Sequence, residues 1–232
     1  MTSTSTEPGA RLHSFADATA TVEELASRVI RAIEHDLATE GDATLVVSGG
    51  STPVALFGRL SQADLNWSRV TITLADERWV PADHADSNAG LVKRTLQLGA
   101  AARSAFVPLY TGHETPELGE GETTTRIRTL RRPFSVVLLG MGTDGHFASC
   151  FPNAPNLQHL LDPDSSALVR AVRPPNTKHP RITLTMRCLL QAKFIALQIH
   201  GETKRNVLES AVEQGLPAGR LIEQPIDVFW SP

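Results

Sequence analysis

The sequence predicts an α/β fold: a single-domain, mainly parallel twisted sheet with helices on both faces. Three observations lead there. Short apolar runs alternate with segments of helical spacing. "PFSVVLLG", residues 133–140, is apolar almost throughout, the pattern of a strand covered on both sides. Glycine-rich and charged segments follow several of the apolar runs, and sheets of this kind bind ligands beyond the C-terminal ends of their strands.

The elements follow in order. Residues 1–16 are polar and predict a flexible tail ahead of one domain over residues 17–232. From Asp17 to Ala38, the apolar residues Val22, Leu25, Ala26, Val29, Ile30 and Ile33 share one helical face. "DATLVVSGG" is a strand ending in a glycine turn, and Pro53 suits the first turn of the helix "PVALFGRL". "RVTITLADERW" is a second strand, and "DSNAGLVKRTL" opens with capping residue types and continues as a helix. "SAFVPLY" reads as a short strand, and the acidic, glycine-rich "TGHETPELGEGETTT" as a mobile loop. After "PFSVVLLG", a strand ends in "SSALVRAVRPP", "KFIALQIHG" is a further strand, "ETKRNVLESAVEQ" a helix, and "IDVFW" an edge-like last strand. Four segments, after Val47, Ala75, Leu139 and Ile199, should therefore meet at one rim.

Composition narrows the function. The 232 residues are 41% hydrophobic and 20% charged with formal net charge −3. Such a chain lacks the basic footprint expected for nucleic acid or an anionic membrane. No run approaches the ~18 apolar residues of a membrane helix, and the N-terminus has no apolar signal core. Cys150 and Cys188 lie far apart without a CxxC, so neither a disulfide scaffold nor a structural zinc site is expected, and a reducing cytoplasm is the default.

"GMGTDGHFASCFP", from Gly140 to Pro152, has the G-x-G-x-x-G spacing of a dinucleotide loop. That motif needs a sustained helix after it, but Pro152 and Pro155 limit any helix here to barely two turns. The glycines instead offer backbone donors to a ligand. His146, at the start of such a short helix, would stay neutral and basic because a helix N-terminus disfavours imidazolium. "SGGSTP", with Ser48, Gly49, Gly50, Ser51 and Thr52 ahead of a helix start, suits a phosphate or carboxylate; a plain strand–helix turn is the alternative. Lys204 opens a helix, against the macrodipole unless an anion compensates, and Arg181 in "PPNTKHPRITLT" is a further candidate cation. Asp76 and Arg78 share one strand face while Glu77 points to the other. They can orient a polar substrate, and a carboxylate can fix a catalytic imidazole. A surface salt bridge worth ~0–1 kcal/mol is the plainer alternative. Ser87 and Asn88 read as helix caps, and His84 as a second rim histidine or, by preference, an exposed side chain.

The segments "VVSGGSTP", "LADERWVPADHADSN", "VVLLGMGTDGHFASCFP", "RITLT" and "HGETKRNVLE" together resemble the 6-phosphogluconolactonase family, in the family's order and over most of the chain. The resemblance implies a Rossmann-like sugar-phosphate isomerase/lactonase fold and a hydrolase of 6-phospho-D-glucono-1,5-lactone in the oxidative pentose phosphate pathway. It implies no cofactor and no metal. By the same match His146 is the catalytic base, and Asp76 and Arg78 lie in the substrate site. "SGGS", Thr52, Lys204 and Arg181 would hold the 6-phosphate, and the Gly142–Asp144–Gly145 turn would face the substrate. Backbone N–H groups of that turn, or Arg78, would stabilise the oxyanion. The expected partner is a phosphorylated sugar lactone, not nucleic acid or membrane, with the protein a monomer or small homo-oligomer.

This chain departs from the family pattern at Phe147, where Thr is usual, at Cys150 (usually Leu) and at Asn153 (usually Gly). "FSV" replaces the usual "FDL", and the helix usual before it is expected to shrink to the polar loop around Gly119. Phe147 would touch the rim. An aldose–ketose isomerase or deaminase acting on a hexosamine 6-phosphate is the alternative, opposed by the lack of an acid from Phe147 to Leu161. A sugar-phosphate sensor would need a DNA-binding extension, for which the stretch before Asp17 is too short.

Overall fold

The computed structural model describes residues 9–232. In chain order the elements are β1 (Arg11–Ser14), α1 (Ala18–Thr39), β2 (Ala43–Val47), α2 (Val54–Ser61), β3 (Val70–Leu74), β4 (Asp76–Arg78), α3 (Asn88–Thr95), β5 (Ala105–Val107) and α4 (Pro116–Arg128). They continue with β6 (Phe134–Gly140), α5 (Leu157–Leu161), β7 (Val169–Val172), β8 (Arg181–Leu184), α6 (Met186–Leu189), β9 (Ala192–His200), α7 (Glu202–Glu209), α8 (Pro217–Ile222) and β10 (Asp227–Ser231).

Seven strands form a parallel sheet in the order β1-β10-β9-β6-β2-β3-β5. Every residue of β2 is buried, as is β6 up to Leu139, so both faces of the sheet are covered. Fully burying an aliphatic side chain such as Leu45, Ile72, Val136 or Leu197 contributes about 1.5–3 kcal/mol. Helix α1 begins where the Asp17 carboxylate accepts from Ala20 N at 2.8 Å, and it turns Val22, Leu25, Ala26, Val29 and Ile33 inward. The mainly parallel α/β architecture is the one that the alternating pattern predicts.

Several expectations need correction. Residues 11–14, placed by the sequence in a tail, form β1; the rest of that expectation, residues 1–8, lies outside the described residues. Strand β1 pairs Leu12 with Val228, so β10 is not an edge strand: β1 and β9 flank it. "RLHS" is mostly exposed, which hides a strand from apolar patterning. The stretch expected to be a mobile loop is the 13-residue helix α4, capped by Thr115 and started by Pro116. Its inward residues Pro116, Gly119, Thr123 and Ile127 keep helical spacing, but only one is a large aliphatic. A Cβ on Gly119 would lie 2.3 Å from Trp79 Cη2, so the glycine belongs to a close helix contact rather than to a lid.

"RVTITLADERW" is two strands, not one. The chain leaves the main sheet at Ala75, where Ala75 N bonds Val47 O at 2.8 Å and Ala75 O accepts from Leu184 N at 2.8 Å. Strand β4 then enters a small antiparallel sheet, β4-β8-β7, in which Asp76 faces Thr183 and Arg78 faces Arg181. This second sheet is an addition to the predicted fold, and it carries one wall of the cleft described next.

Candidate active site

The C-terminal ends of β2, β6 and β9 and the small sheet enclose a cleft of about 210 Å³. On the β2 side lie Ser48, Gly49, Gly50, Ser51 and Thr52, ahead of α2. Ser48 Oγ is buried and has no hydrogen-bond partner among the described residues. Gly50 has φ +92°, a conformation costly for other residues.

Opposite stand Asp76 and Arg78. Arg78 Nη1 donates to Asn88 Oδ1 at 2.5 Å and to Asp86 O at 3.0 Å. Asn88 Nδ2 donates to Asp76 O at 2.9 Å. The Asp76 carboxylate accepts from Ser149 Oγ at 2.6 Å. Glu77 points away, as strand alternation requires, and its buried carboxylate accepts from Arg78 N, Asn88 N, Ala89 N and Ser87 Oγ. Burial raises the Glu77 carboxyl above its usual value although those four bonds lower it. A raised folded value means that stability from this group is complete below the ordinary value of 4.5 and is lost as pH rises through the folded value. Wild type should therefore lose stability relative to Glu77→Gln as pH climbs from acid toward neutral. Urea titrations of both proteins at several pH values check this, and parallel stability curves would contradict it.

Arg181 reaches the cleft from β8, and its Nη1 is buried without a partner. Desolvation depresses its pKa, and the neighbouring Arg78 charge adds to that effect against the pull of Asp76. A buried guanidinium with an unmatched donor is costly unless an anion meets it. Lys204, in the first turn of α7, is half-buried, and desolvation lowers its pKa. It lines the same cleft and makes no ion pair among the described residues.

His146 stands at the mouth of β6. Its Nδ1 lies 2.5 Å from Asp144 Oδ1, and its ring stacks on Phe151 at 4.1 Å with an interplanar angle of 26°. The carboxylate assigns the proton to Nδ1, which leaves Nε2 with the free lone pair. A Cβ on Gly142 would come within 2.3 Å of the imidazole, so this glycine permits the ring to fold over the turn.

Most predicted site residues converge here, with corrections. No helix begins at His146; the next is α5, so a helix dipole does not act on the ring and Asp144 holds it instead. Asp76 makes no hydrogen bond to the imidazole among the described residues; its Oδ2 accepts from Ser149 Oγ, and Asp144 meets the ring. Asp144 and Gly145 do not line the cleft; Gly145 sits against Leu216. Gly142 N donates to His146 O and Gly145 N to Gly142 O, so neither is free for an oxyanion. Phe147 is fully buried and does not touch the rim, which Phe151 forms instead. Cys150 is also buried, which raises its thiol pKa. Sequence reading missed Asn88, Ser149 and Phe151. Ser87 is the cap of α3, accepting from Gly90 N, while Asn88 turns into the cleft.

Gly49 is tested by the same geometry. A Cβ there would lie 1.9 Å from Asn88 Oδ1. Gly49→Ala should displace Asn88 and with it Arg78, costing about 1–3 kcal/mol of overpacking strain. A fall in kcat/KM of about tenfold or more is expected in steady-state kinetics; unchanged kinetics would show that Asn88 does not set the Arg78 position.

A family model described as glucosamine-6-phosphate isomerases/6-phosphogluconolactonase matches residues 16–230. The chain belongs to this family. A curated 6-phosphogluconolactonase from Pseudomonas aeruginosa is 40% identical over 228 residues, covering 97% of this chain and 96% of that one. Another from Mesorhizobium japonicum is 41% identical, covering 95% and 94%. A crystal structure of a 6-phosphogluconolactonase from Shewanella baltica superposes with TM-score 0.92 at 38% identity, over 96% of this chain and 98% of that one. A monomeric glucosamine-6-phosphate deaminase shares the fold alone, with TM-score 0.77 at 18% identity over 95% and 97% of the two chains. Phe147 and Cys150, where the sequence reads as leaving the family pattern, are both fully buried.

Proposed function

We propose that this chain hydrolyses 6-phospho-D-glucono-1,5-lactone to 6-phosphogluconate, the lactonase step of the oxidative pentose phosphate pathway, with His146 as general base. The observation that carries the site assignment is the His146–Asp144 pair facing a cleft whose other walls hold Arg181, Lys204 and the unpartnered Ser48 hydroxyl. The phosphate end binds in the Ser48–Thr52 loop near Lys204. Water attacks C1 as His146 Nε2 removes its proton, and Asp144 stabilises the imidazolium that forms. Arg78, held by Asn88 and Asp86, faces the oxyanion. The tetrahedral intermediate then expels the ring oxygen, which takes the proton back from His146; C1 is left as a carboxylic acid, which ionises to the carboxylate by releasing its remaining proton to solvent. Water is the only co-reactant.

The deaminase alternative needs a free carboxylate to move a proton between C1 and C2. Asp76 is the carboxylate that lines the cleft, and Ser149 engages it. No helix among the described residues is long and apolar enough to cross a membrane. We assign the protein to the cytoplasm, an assignment supported by two free, buried cysteines. The deciding assay is acid release from freshly made 6-phosphogluconolactone beside unphosphorylated gluconolactone, with spontaneous opening subtracted. Faster turnover of the phosphorylated lactone is expected. Equal rates would remove the phosphate anchor, and ammonia release from glucosamine 6-phosphate would favour the deaminase.

A further inference from the structure

Outside the cleft, one group of side chains has the composition of a metal site. His84, which reads from the sequence as a rim histidine or an exposed side chain, faces His179 across Asp86. His179 Nε2 lies 2.8 Å from Asp86 Oδ2, and His84 Nδ1 lies 3.9 Å from the same oxygen. The two imidazoles meet edge to face, with centroids 5.1 Å apart and planes at 82°. One ligand atom from each of the three residues falls within a 4.8 Å span.

We propose that His84, Asp86 and His179 bind a divalent transition-metal ion, zinc foremost, clasping the loop after β4 to the loop before β8. Two imidazoles and one carboxylate are a borderline donor set, suited to zinc, cobalt or nickel rather than to calcium or magnesium. Tetrahedral zinc, with bonds of about 2.0–2.2 Å, sets its ligand atoms roughly 3.4 Å apart. The two distances to Asp86 Oδ2, 2.8 and 3.9 Å, straddle that separation, so small side-chain rotations bring both to it. His84 and Asp86 are two residues apart and chelate from one turn. His179 joins them from the other loop, and water completes the shell.

Two present contacts give way when the ion binds. Asp86 N–H donates to His84 Nδ1 at 3.0 Å, and the metal takes that lone pair. Lys178 Nζ lies 3.0 Å from Asp86 Oδ2 and is displaced into solvent, a cheap exchange for a largely exposed lysine. The clasp lies next to the cleft without entering it. Asp86 O accepts from Arg78 Nη1, and Arg181 follows His179 by two residues. A bound ion therefore fixes the two loops flanking β4 and β8, the strands that carry Arg78 and Arg181, while the reaction at His146 proceeds by acid–base chemistry.

The test is calorimetric titration of the whole purified chain with Zn²⁺ alone, at fixed neutral pH. One ion per chain is expected at micromolar metal, with a rise in Tm. Co²⁺ in its place should give the visible absorption of a tetrahedral nitrogen–oxygen shell. His84→Gln and His179→Gln, both at partly exposed positions, should each weaken Zn²⁺ by more than the about tenfold typical of losing an outer-shell partner. His146→Asn should bind zinc as wild type does. No zinc binding by the wild type overturns the proposal. So does zinc binding that survives both glutamine variants, or that disappears with His146→Asn, which would move the ion to the catalytic turn.

Discussion

Replacing His146 with Asn lowers kcat by about 10²–10⁴-fold, the usual contribution of a positioned general base. Asn cannot take the water proton, but it is close in size to imidazole and keeps an amide for Asp144. The turn at Gly142 and the stack of Phe151 lose little packing, so the fold should survive. The Ser48–Thr52 loop, Arg181 and Lys204 are untouched, and a competing phosphorylated sugar acid should bind the variant with near-wild-type affinity. The expected signature is thus a collapse of kcat with the inhibition constant retained. Lactones open on their own in water, so the assay needs the uncatalysed rate at each pH as a baseline. Near-wild-type turnover above that baseline would place the base elsewhere in the cleft.

Replacing Lys204 with Met changes recognition rather than chemistry. Met keeps an apolar stem over the first turn of α7 and removes the charge. A hydrogen bond to a charged group is worth about 1.5–3 kcal/mol, so KM for the phosphorylated lactone should rise about tenfold to a hundredfold. The unphosphorylated lactone, which has nothing to offer the ammonium, should be hydrolysed as slowly by the variant as by wild type. Selectivity between the two substrates therefore narrows by the factor lost in KM. If both substrates are impaired equally, Lys204 supports the fold of the rim and not the phosphate. Part of the loss can still fall on kcat for the phosphorylated substrate, because remote binding energy helps to hold the reacting end in place.

The parts of the fold visible in the sequence are those where burial leaves a one-dimensional trace. Strands β2 and β6 are apolar along most of their length, β3 alternates apolar residues with threonine, and α1 shows its inward face at helical spacing. Helix α4 leaves no such trace, since three of its four buried positions are Pro, Gly and Thr. Strand β1 is held by its partner and by His13 against Asp227 at 2.5 Å, contacts that join residues more than two hundred apart. The rim of the cleft was legible for a different reason: phosphate-binding groups must follow strand ends, and glycines mark where backbone and ligand approach. The roles of the carboxylates were not. Asp76 and Asp144 are equally good partners for an imidazole on paper, and the tight turn at Gly142 and Gly145 decides for Asp144. Asn88, Ser149 and Phe151 matter through contacts between segments, which spacing does not encode.

The departure of the chain from the main sheet at Ala75 divides the labour of the cleft between two supports. His146, the proposed base, and the Ser48–Thr52 loop follow the ends of β6 and β2, whose strands are buried in the parallel sheet. Arg78 and Arg181 ride on the small sheet, tied across the boundary by Ser149, whose hydroxyl meets Asp76 and whose N–H meets Thr183 Oγ1. In the proposed reaction both supports contribute to recognition and to chemistry: the Ser48–Thr52 loop and His146 on one, Arg181 and Arg78 on the other, so a change at the Ser149 tie should reach substrate affinity and turnover together.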